Sequence, residues 1–255
     1  MGERIALGQP NRLFGRVQTA VHLWAPPTSP FAYKVMVESA RLQNNAGGAI
    51  ACGLGAHLPD SLCKLGSWVD ATTTFTDDTT DAQDSGADDF TLSTLTNNDG
   101  HVVGCKVPFN AISYDISTAE AGTAGTYQLQ YWNGTAWTTL TPLVMPVWTA
   151  VDTEEVLVFA PPVDWAKGGS GTDVDDDYYN IRVRATTAPG TTAALAKRIH
   201  IARLELLGDD VANNGELKYE GTAPLLLSAQ GDGLCAYFQT ASDKNIVEAV
   251  VQLRG

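Results

Sequence analysis

Residues 127–140 are YQLQYWNGTAWTTL, two strand-like runs separated by Asn133-Gly134. Both residues of an Asn-Gly pair tolerate positive φ, so this pair predicts a β-hairpin with a two-residue loop. With that loop, Trp132 pairs with Thr135 and Tyr131 pairs with Ala136. Because side chains alternate along a strand, one face of the hairpin carries the residues expected in the core, which are Tyr127, Leu129, Tyr131, Ala136 and Leu140.

The other face of the predicted hairpin carries Trp132 and Trp137. Outward tryptophans can cover a second layer of the protein, contact a partner, or stack against the rings of a sugar ligand. Tryptophans buried between sheets are more common than sugar-binding ones, and the sequence leaves both alternatives open. We therefore treat these two residues as a candidate exposed aromatic face.

Further strand-like segments show the same alternation and are separated by turns rich in Gly, Pro, Asn and Asp. In Tyr178–Ala185, for example, Ile181 and Val183 point inward and Arg182 points outward. Short strands of this kind predict an all-β chain with an antiparallel, jelly-roll-like β-sandwich. The predicted sandwich spans residues 35–207, and residues 208–255 predict a small C-terminal β subdomain or an added sheet layer.

Residues 1–34 contain no convincing strand or helix and are interrupted by several prolines, so we expect an extended N-terminal arm. Three large apolar residues of this arm are Leu23, Trp24 and Phe31. An extended segment cannot bury such side chains by itself, so they pack either on the parent domain or on a neighbouring subunit. We take the three residues as candidates for partner binding.

The chain of 255 residues is acidic, with a formal net charge of −13, and 44% of its residues are hydrophobic. That hydrophobic content supports a sizeable core. An acidic protein lacks the basic face that displaces counterions from nucleic acid or docks on anionic lipid, so we expect neither partner. The start of the sequence has no secretory pattern and no stretch is long and apolar enough for a membrane helix, which predicts folding in a reducing cytoplasm.

The four cysteines are irregularly spaced and include no CxxC pair; they are Cys52, Cys63, Cys105 and Cys235. Cysteines of a cytoplasmic protein are usually reduced. We therefore expect all four to be small buried hydrophobic residues, rather than disulfides or metal ligands.

Patterns of catalytic and metal-binding residues are weak. The four histidines are scattered, without an HExxH motif, and we expect no enzyme activity and no cofactor. The best metal candidate is the loop with Asp173, Asp175 and Asp177, whose carboxylates can bind Ca²⁺ although the loop lacks the glycine and final glutamate of an EF-hand. Glu154-Glu155 and the acidic residues in 70–99 are the candidates for a glycan-hydrolase pair.

Three segments of the chain resemble a β-sandwich module of tailed-bacteriophage virion proteins. They are YWNGTAW at 131–137, FAPPVDWAKGGSG at 159–171 and YYNIRVRATT at 178–187. In that module a YWNG(S/T)xW hairpin precedes a P-x-DWxK turn and a Y-x-IRVR strand. The resemblance covers residues 68–207, and Asn180 stands where the module usually has a third aromatic residue.

The resemblance implies a virion surface protein, and a capsid decoration (cement) protein on the outer surface of the phage head is our main expectation. Such a protein is made in the host cytoplasm, contacts the major capsid protein and copies of itself, and clamps neighbouring subunits. The threefold sites of capsids favour a trimer. The alternative is a tail, baseplate or receptor-binding protein with glycan affinity, and a glycan hydrolase is the second alternative.

Overall fold

The computed structural model describes residues 11–16, 21–24, 33–84, 89–169, 176–220, 225–229, 234–239 and 244–254. Nearly all of them lie in strands or in the turns between strands. In chain order the elements are β1 (Asn11–Arg16), β2 (Val21–Trp24), β3 (Tyr33–Gln43), β4 (Ile50–His57), a 3-10 turn (Asp60–Leu62), β5 (Cys63–Val69), β6 (Thr74–Asp77), α1 (Thr79–Gln83), β7 (Phe90–Thr91), β8 (Gly100–Cys105), β9 (Ala111–Thr118), β10 (Thr126–Trp132), β11 (Trp137–Leu140), β12 (Glu154–Val158), β13 (Tyr179–Thr187), β14 (Leu195–Val211), β15 (Glu216–Tyr219), β16 (Leu225–Ala229), β17 (Leu234–Phe238) and β18 (Ile246–Arg254).

The predicted all-β, antiparallel sandwich class is confirmed. The long β3–β18, β10–β13 and β4–β14 pairs are all antiparallel. Period-2 alternation of apolar and polar residues along many of the strands is the physical reason. The strands β4, β8 and β17 are buried on both faces. Within the described part of the chain, no helix combines the length and the apolar character needed to cross a membrane.

Contacts divide the chain into two compact units. We call Asp60–Ile201 the central unit, and Met1–Pro59 together with Ala202–Gly255 the terminal unit. This division differs from the predicted segments 1–34, 35–207 and 208–255. The reason is that β3 and β4 pair with β14–β18, which lie far away in sequence, and such long-range pairing leaves no local signal.

The central unit contains two sheets. One has the strand order β11-β10-β13-β8-β5-β6, and the other places β9 between β12 and β14, with β7 beside β14. Aromatic side chains fill the space between them. His101 of β8 lies 5.6 Å from the ring of Tyr114 of β9, and Trp148 lies within 5.9 Å of both rings.

The terminal unit also contains two sets of paired strands. One has the order β1-β18-β3-β15 with β16 also on β3. The other has the order β14-β4-β17-β2, to which β14 contributes residues 202–211. Aliphatic residues, one cysteine and one phenylalanine from β3, β4, β17 and β18 form its core, which includes Leu42, Leu54, Leu234 and Phe238. The terminal segments therefore share one core.

Residues 11–16 and 21–24 correct the expectation that segment 1–34 is an arm without regular elements. β1 pairs with β18, and β2 pairs with β17, where Leu23 lies opposite Cys235 and Trp24 opposite Leu234. Both strands are at sheet edges, where a strand needs a partner on one side only. Short edge strands tolerate irregular patterns, and this explains why the sequence did not predict them.

The β10–β11 hairpin differs from its predicted register. Trp132 pairs with Trp137 and Tyr131 with Thr138, so the loop contains four residues, 133–136, rather than two. The Asn133 side-chain oxygen closes this loop by accepting hydrogen bonds from the backbone N–H groups of Thr135 and Ala136 at 3.0 and 2.8 Å. Because the partner strand moves by two residues, the side chains within the two strands keep their predicted faces. Ala136, which was predicted to lie in the core, is in the loop and is exposed.

The expectation for the cysteines is wrong for two of the four. Cys63 and Cys105 lie directly opposite each other on β5 and β8, with Cα atoms 4.2 Å apart, and form a disulfide. Their separation of 42 residues gave no hint of this pairing, which depends on strand register. Cys52 and Cys235 are buried, as expected.

Candidate functional site

The outer face of the larger central sheet carries a layer of tryptophan and arginine. β5, β10, β11 and β13 each contribute one large side chain, and we call this set the tryptophan–arginine cluster: Trp68, Trp132, Trp137 and Arg182. Trp68 is buried together with Phe75 and Val102, and the partly buried Trp137 packs against them. A sheet face that would ordinarily meet water is therefore covered by a second apolar layer.

Arg182 lies between two indole rings of this cluster. Its guanidinium carbon is 5.0 Å from the ring centroid of Trp68 and 4.8 Å from that of Trp137. Its Nε and Nη2 donate to the Gln130 side-chain oxygen at 3.0 and 2.6 Å, and Nη1 is 4.0 Å from a carboxylate oxygen of Asp70. Cation–π contacts, two hydrogen bonds and an opposite charge thus compensate for its loss of water.

Burial lowers the pKa of Arg182 to about 10, and the nearby Asp70 carboxylate opposes that shift. The side chain remains charged at neutral pH. The sequence placed Arg182 outward, and it does lie on the outer face of the sheet, but only 5% of it is exposed. The arginine therefore serves inside the cluster rather than as a surface charge.

Trp132 and Trp137 lie on the same face, as predicted, and both are half-buried. Their rings meet edge to face, 5.8 Å apart with an angle of 66° between the planes. The guanidinium of Arg182 lies over the ring of Trp137, so Trp132 is the ring at the border of the cluster. Two tilted rings do not form one flat platform, which limits sugar stacking to the Trp132 side.

Two indole N–H groups of the cluster are unusual. The Nε1 atoms of Trp68 and Trp137 are buried, and neither has a hydrogen-bond acceptor among the described residues. Buried indole N–H groups normally find an acceptor. The cluster therefore contains two open donors.

The segments that carry the family resemblance contact one another directly. The hydroxyl of Tyr131 donates to Asp164 at 2.8 Å, and the backbone N–H of Ala166 donates to the carbonyl of Trp132 at 3.0 Å. The indole of Trp165 donates to the carbonyl of Asn180 at 3.0 Å. The hairpin, the DWAK turn and the β13 strand thus form one interlocked body.

Asn180, which stands where the resembling module usually has an aromatic residue, is buried and hydrogen-bonded. Its side-chain amide donates to the carbonyl oxygens of Gly168 and Tyr178 at 3.0 and 3.1 Å. These bonds tie the turn after Lys167 to the start of β13.

The remaining predicted site residues fall partly outside the described chain. Phe31, Asp173 and Asp175 lie outside the described residues, while Asp177 is exposed. Leu23 and Trp24 lie in β2, and their side chains are among those that the structure does not describe. Among the residues described, no group of His, Cys, Asp or Glu side chains could hold a metal ion. Calcium binding by the 173–177 loop stays a prediction.

Two of the carboxylates suggested for a hydrolase, Glu154 and Glu155, do not share one face of their strand. Glu154 and Glu155 are consecutive on β12, so their side chains leave opposite faces of the strand. Glu154 accepts a hydrogen bond from Ser113 at 2.7 Å. Burial raises the pKa of Glu155, which accepts a backbone hydrogen bond from Val147. The carboxylate of Asp99 accepts a hydrogen bond from the backbone N–H of Asp70 at 2.8 Å.

His101 is a core residue of the central unit. Its Nδ1 is 2.7 Å from the carbonyl oxygen of Leu92, and its Nε2 is 3.2 Å from the hydroxyl of Tyr114. The carbonyl can only accept, so Nδ1 carries the proton and Nε2 accepts from the tyrosine. Burial lowers the pKa of His101 to about 4, and the imidazole is neutral at pH 7.

Sequence reasoning missed an apolar surface after β11. Four residues that we call the apolar strip project from the segment joining β11 to β12: Leu143, Met145, Val147 and Val151. Three of them are among the exposed large hydrophobic residues. A signal for this surface was present in the sequence, because residues 121–151 contain no Asp, Glu, Lys or Arg.

Comparisons with known proteins found no match for the chain. No known family matches it, no curated protein matches it, and no solved structure matches it. The functional assignment therefore depends on the motif resemblance and on the geometry of the described residues.

Proposed function

We propose that this protein is a non-enzymatic structural component of a tailed-phage virion, a decoration protein that binds the outer surface of the capsid and stabilises it. The observation that supports the proposal is the interlocking of the three motif segments that resemble the virion module. Tyr131, Trp165 and Asn180 are motif residues, and each is engaged in a hydrogen bond to another motif segment. These side chains therefore stabilise the scaffold formed by the three segments.

The mechanism of such a protein is repeated contact with neighbouring subunits of the shell. Apolar burial contributes about 25 cal/mol per Å², so even small contacts accumulate when they recur around a capsid. The major capsid protein and further copies of this chain are the proposed partners, with a trimer at threefold sites. A net charge of −13 disfavours contact with packaged nucleic acid and with membranes, which fits a position outside the shell.

The test is co-sedimentation of the purified full-length protein with phage capsids that lack it. We expect saturable binding, and capsids that resist heat or low salt better once they are decorated. Deleting residues 1–34 would remove β1 and β2, so point substitutions test the proposed contacts more cleanly. Trp24→Ala and Phe31→Ala should weaken binding, whereas Trp132→Ala should not. Absence of binding to any mature or expanded capsid would refute the decoration role.

A tail, baseplate or receptor-binding role with glycan affinity is the second candidate. The observation in its favour is the half-buried ring of Trp132 at the border of the tryptophan–arginine cluster. An aromatic ring at such a border suits stacking against a sugar ring. Glycan-array binding that disappears in Trp132→Ala, combined with no capsid binding, would favour this candidate. An array without signal would eliminate it.

A further inference from the structure

Two arginines follow each other on the outer face of the larger central sheet. Arg182 and Arg184 are two residues apart on β13, so both side chains leave the same face of the strand. Arg182 donates to Gln130 and lies near the Asp70 carboxylate. Arg184 is half-buried, and among the described residues it has neither a hydrogen-bond acceptor nor an ion pair. One of the two cations is therefore left without a partner.

The environment of Arg184 is unfavourable for a cation without a partner. Its Nε is buried and finds no acceptor within the described chain. A buried donor that has lost water without gaining an acceptor destabilises the fold. The charge of Arg184 also affects its neighbour, because the pKa of Arg182 is lowered mainly by burial and further by repulsion from Arg184. A negatively charged acceptor at Arg184 would relieve both effects.

A chain of two side-chain amides places a second donor beside Arg184. A guanidinium can only donate, so the side-chain oxygen of Gln130 faces Arg182 and its Nε2 donates to the oxygen of Gln128 at 3.2 Å. Gln128 therefore directs its own Nε2 away from Gln130. In the β10–β13 pair, Gln128 lies directly opposite Arg184. The two side chains thus present N–H donors next to each other.

The charges on this sheet face are paired except at Arg184. Lys64 of β5 lies 3.5 Å from the Asp77 carboxylate of β6, and Arg182 has Asp70 as its counter-charge. These five side chains are the charged groups that the described strands and the end of β5 carry on this face. One positive charge is left over, so a ligand group with a single negative charge fits better than a polyanion.

The groups around Arg184 do not compete for its charge. Opposite it on β8 is Gly100, which has no side chain. Asp99, which precedes this glycine, is buried, and its Oδ1 accepts a backbone N–H at 2.8 Å. On the other side, the exposed hydroxyls of Thr126 and Thr186 lie 2.8 Å apart. Arg184 is therefore bordered on the described surface by an amide and hydroxyls, which are neutral groups that an anion can approach.

We propose that Arg184 and Gln128 form a binding site for a carboxylate group. The guanidinium supplies the charge and the amide a second donor, and the two oxygens of a planar carboxylate can accept from both. One negative charge matches the single unpaired arginine, whereas a phosphate dianion would add excess negative charge to a chain of net charge −13. The proposal does not rest on the capsid assignment, because purified protein and a small carboxylate are sufficient to test it.

The experiment is a two-dimensional NMR titration of the full chain with sodium acetate, sodium glucuronate and glucose at constant ionic strength. We expect saturable shifts of the backbone amides around residues 128 and 184 with both carboxylates, and none with glucose at the same concentrations. Tighter binding of glucuronate than of acetate would identify an acidic sugar as the ligand class, and equal affinities would identify a small organic acid. Raising the ionic strength should weaken binding in either case.

Three variants locate the site. Arg184→Gln removes the charge, and Gln128→Leu removes the second donor but keeps the charge. Arg203→Gln is the matched control, because Arg203 belongs to the terminal unit and pairs with Glu205 at 2.6 Å. We expect the dissociation constant to rise by at least ~tenfold in Arg184→Gln and by about threefold in Gln128→Leu, and to stay unchanged in the control.

Far-ultraviolet circular dichroism verifies that each variant folds, and Gln128→Leu remains informative if Arg184→Gln does not. The absence of saturable shifts with either carboxylate would overturn the proposal. Binding that persists undiminished in both Arg184→Gln and Gln128→Leu would place the ligand elsewhere and would overturn it as well. Equal binding of glucose and glucuronate would show that the carboxylate is not what the site recognises.

Discussion

Removing the Cys63–Cys105 disulfide should destabilise the central unit substantially. The bond joins residues that are directly opposite on β5 and β8, and it closes a loop with a sequence separation of 42. A cross-link limits the conformations of the unfolded chain, and for a loop of this length the chain-entropy relation gives about 4 kcal/mol at 25 °C. For a unit of this size, that corresponds to a melting temperature lower by roughly 10 °C.

The assay is guanidinium unfolding of the oxidised wild type and of the double variant Cys63→Ala/Cys105→Ala. Both sulfurs are buried, so reduction of the wild type requires denaturant before refolding in the presence of a reductant. Cys52→Ala is the control, because it removes one buried sulfur without affecting a cross-link. Reductant should lower the stability of the wild type and leave that of the double variant unchanged.

Counting thiols provides the decisive comparison. The chain has four cysteines and one disulfide, so the denatured but unreduced protein should have two reactive thiols and the reduced protein four. Four thiols without any reductant would mean that the bond does not form. Equal unfolding midpoints for oxidised and reduced wild type would show that the cross-link contributes nothing, and the entropy argument would fail.

Three further predictions concern buried groups. Arg182→Ala should destabilise the protein by about 3 kcal/mol in urea unfolding, because it opens a cavity between two indoles and leaves Gln130 without its donor; Arg184→Ala, on the same strand, is the control. Acidification should destabilise the fold through His101, because its pKa is about 4 in the folded protein and 6.5 ordinarily. The contribution of His101 to the free energy of unfolding is complete above pH 6.5 and decreases as the pH falls towards 4. Near pH 5 the loss is roughly 2 kcal/mol. His101→Gln should flatten that dependence, and an unchanged profile would contradict the assignment. Gly66→Ala should cost about 2 kcal/mol or more, because the added Cβ would meet the Phe75 ring at 2.5 Å and a backbone carbonyl more closely still, whereas Gly48→Ala meets nothing.

The tryptophan–arginine cluster shows how much of a site can be predicted from one strand pair. Alternation along the hairpin correctly placed Trp132 and Trp137 on one face. This placement stayed correct although the predicted register was wrong, because a shift by two residues leaves each strand residue on the same face. Alternation could not show that Trp68 of β5 and Arg182 of β13 complete the cluster. Those contacts depend on the order of strands in the sheet, which the local pattern does not contain.

The apolar strip was detectable in principle and was still missed. Its charge-free composition is visible along 121–151, but a run of aliphatic residues in sequence is equally compatible with burial. Exposure of Leu143 and Val147 arises because Val144, Pro146 and Trp148 occupy the inward positions. Which half of an alternating row faces the core depends on neighbouring strands, so only the assembled unit distinguishes a fully buried segment from one with exposed apolar side chains.

The sequence by itself determined the class of the fold, because period-2 alternation and turn residues act over a few neighbouring positions. It also determined the faces of the hairpin and the acidic character of the surface. Tertiary structure alone decided the division into two units, the strands in segment 1–34, the Cys63–Cys105 bond and the burial of Arg182. Each of these depends on pairing between strands distant along the chain, whose register is selected by the packing of the whole sheet rather than by any local preference.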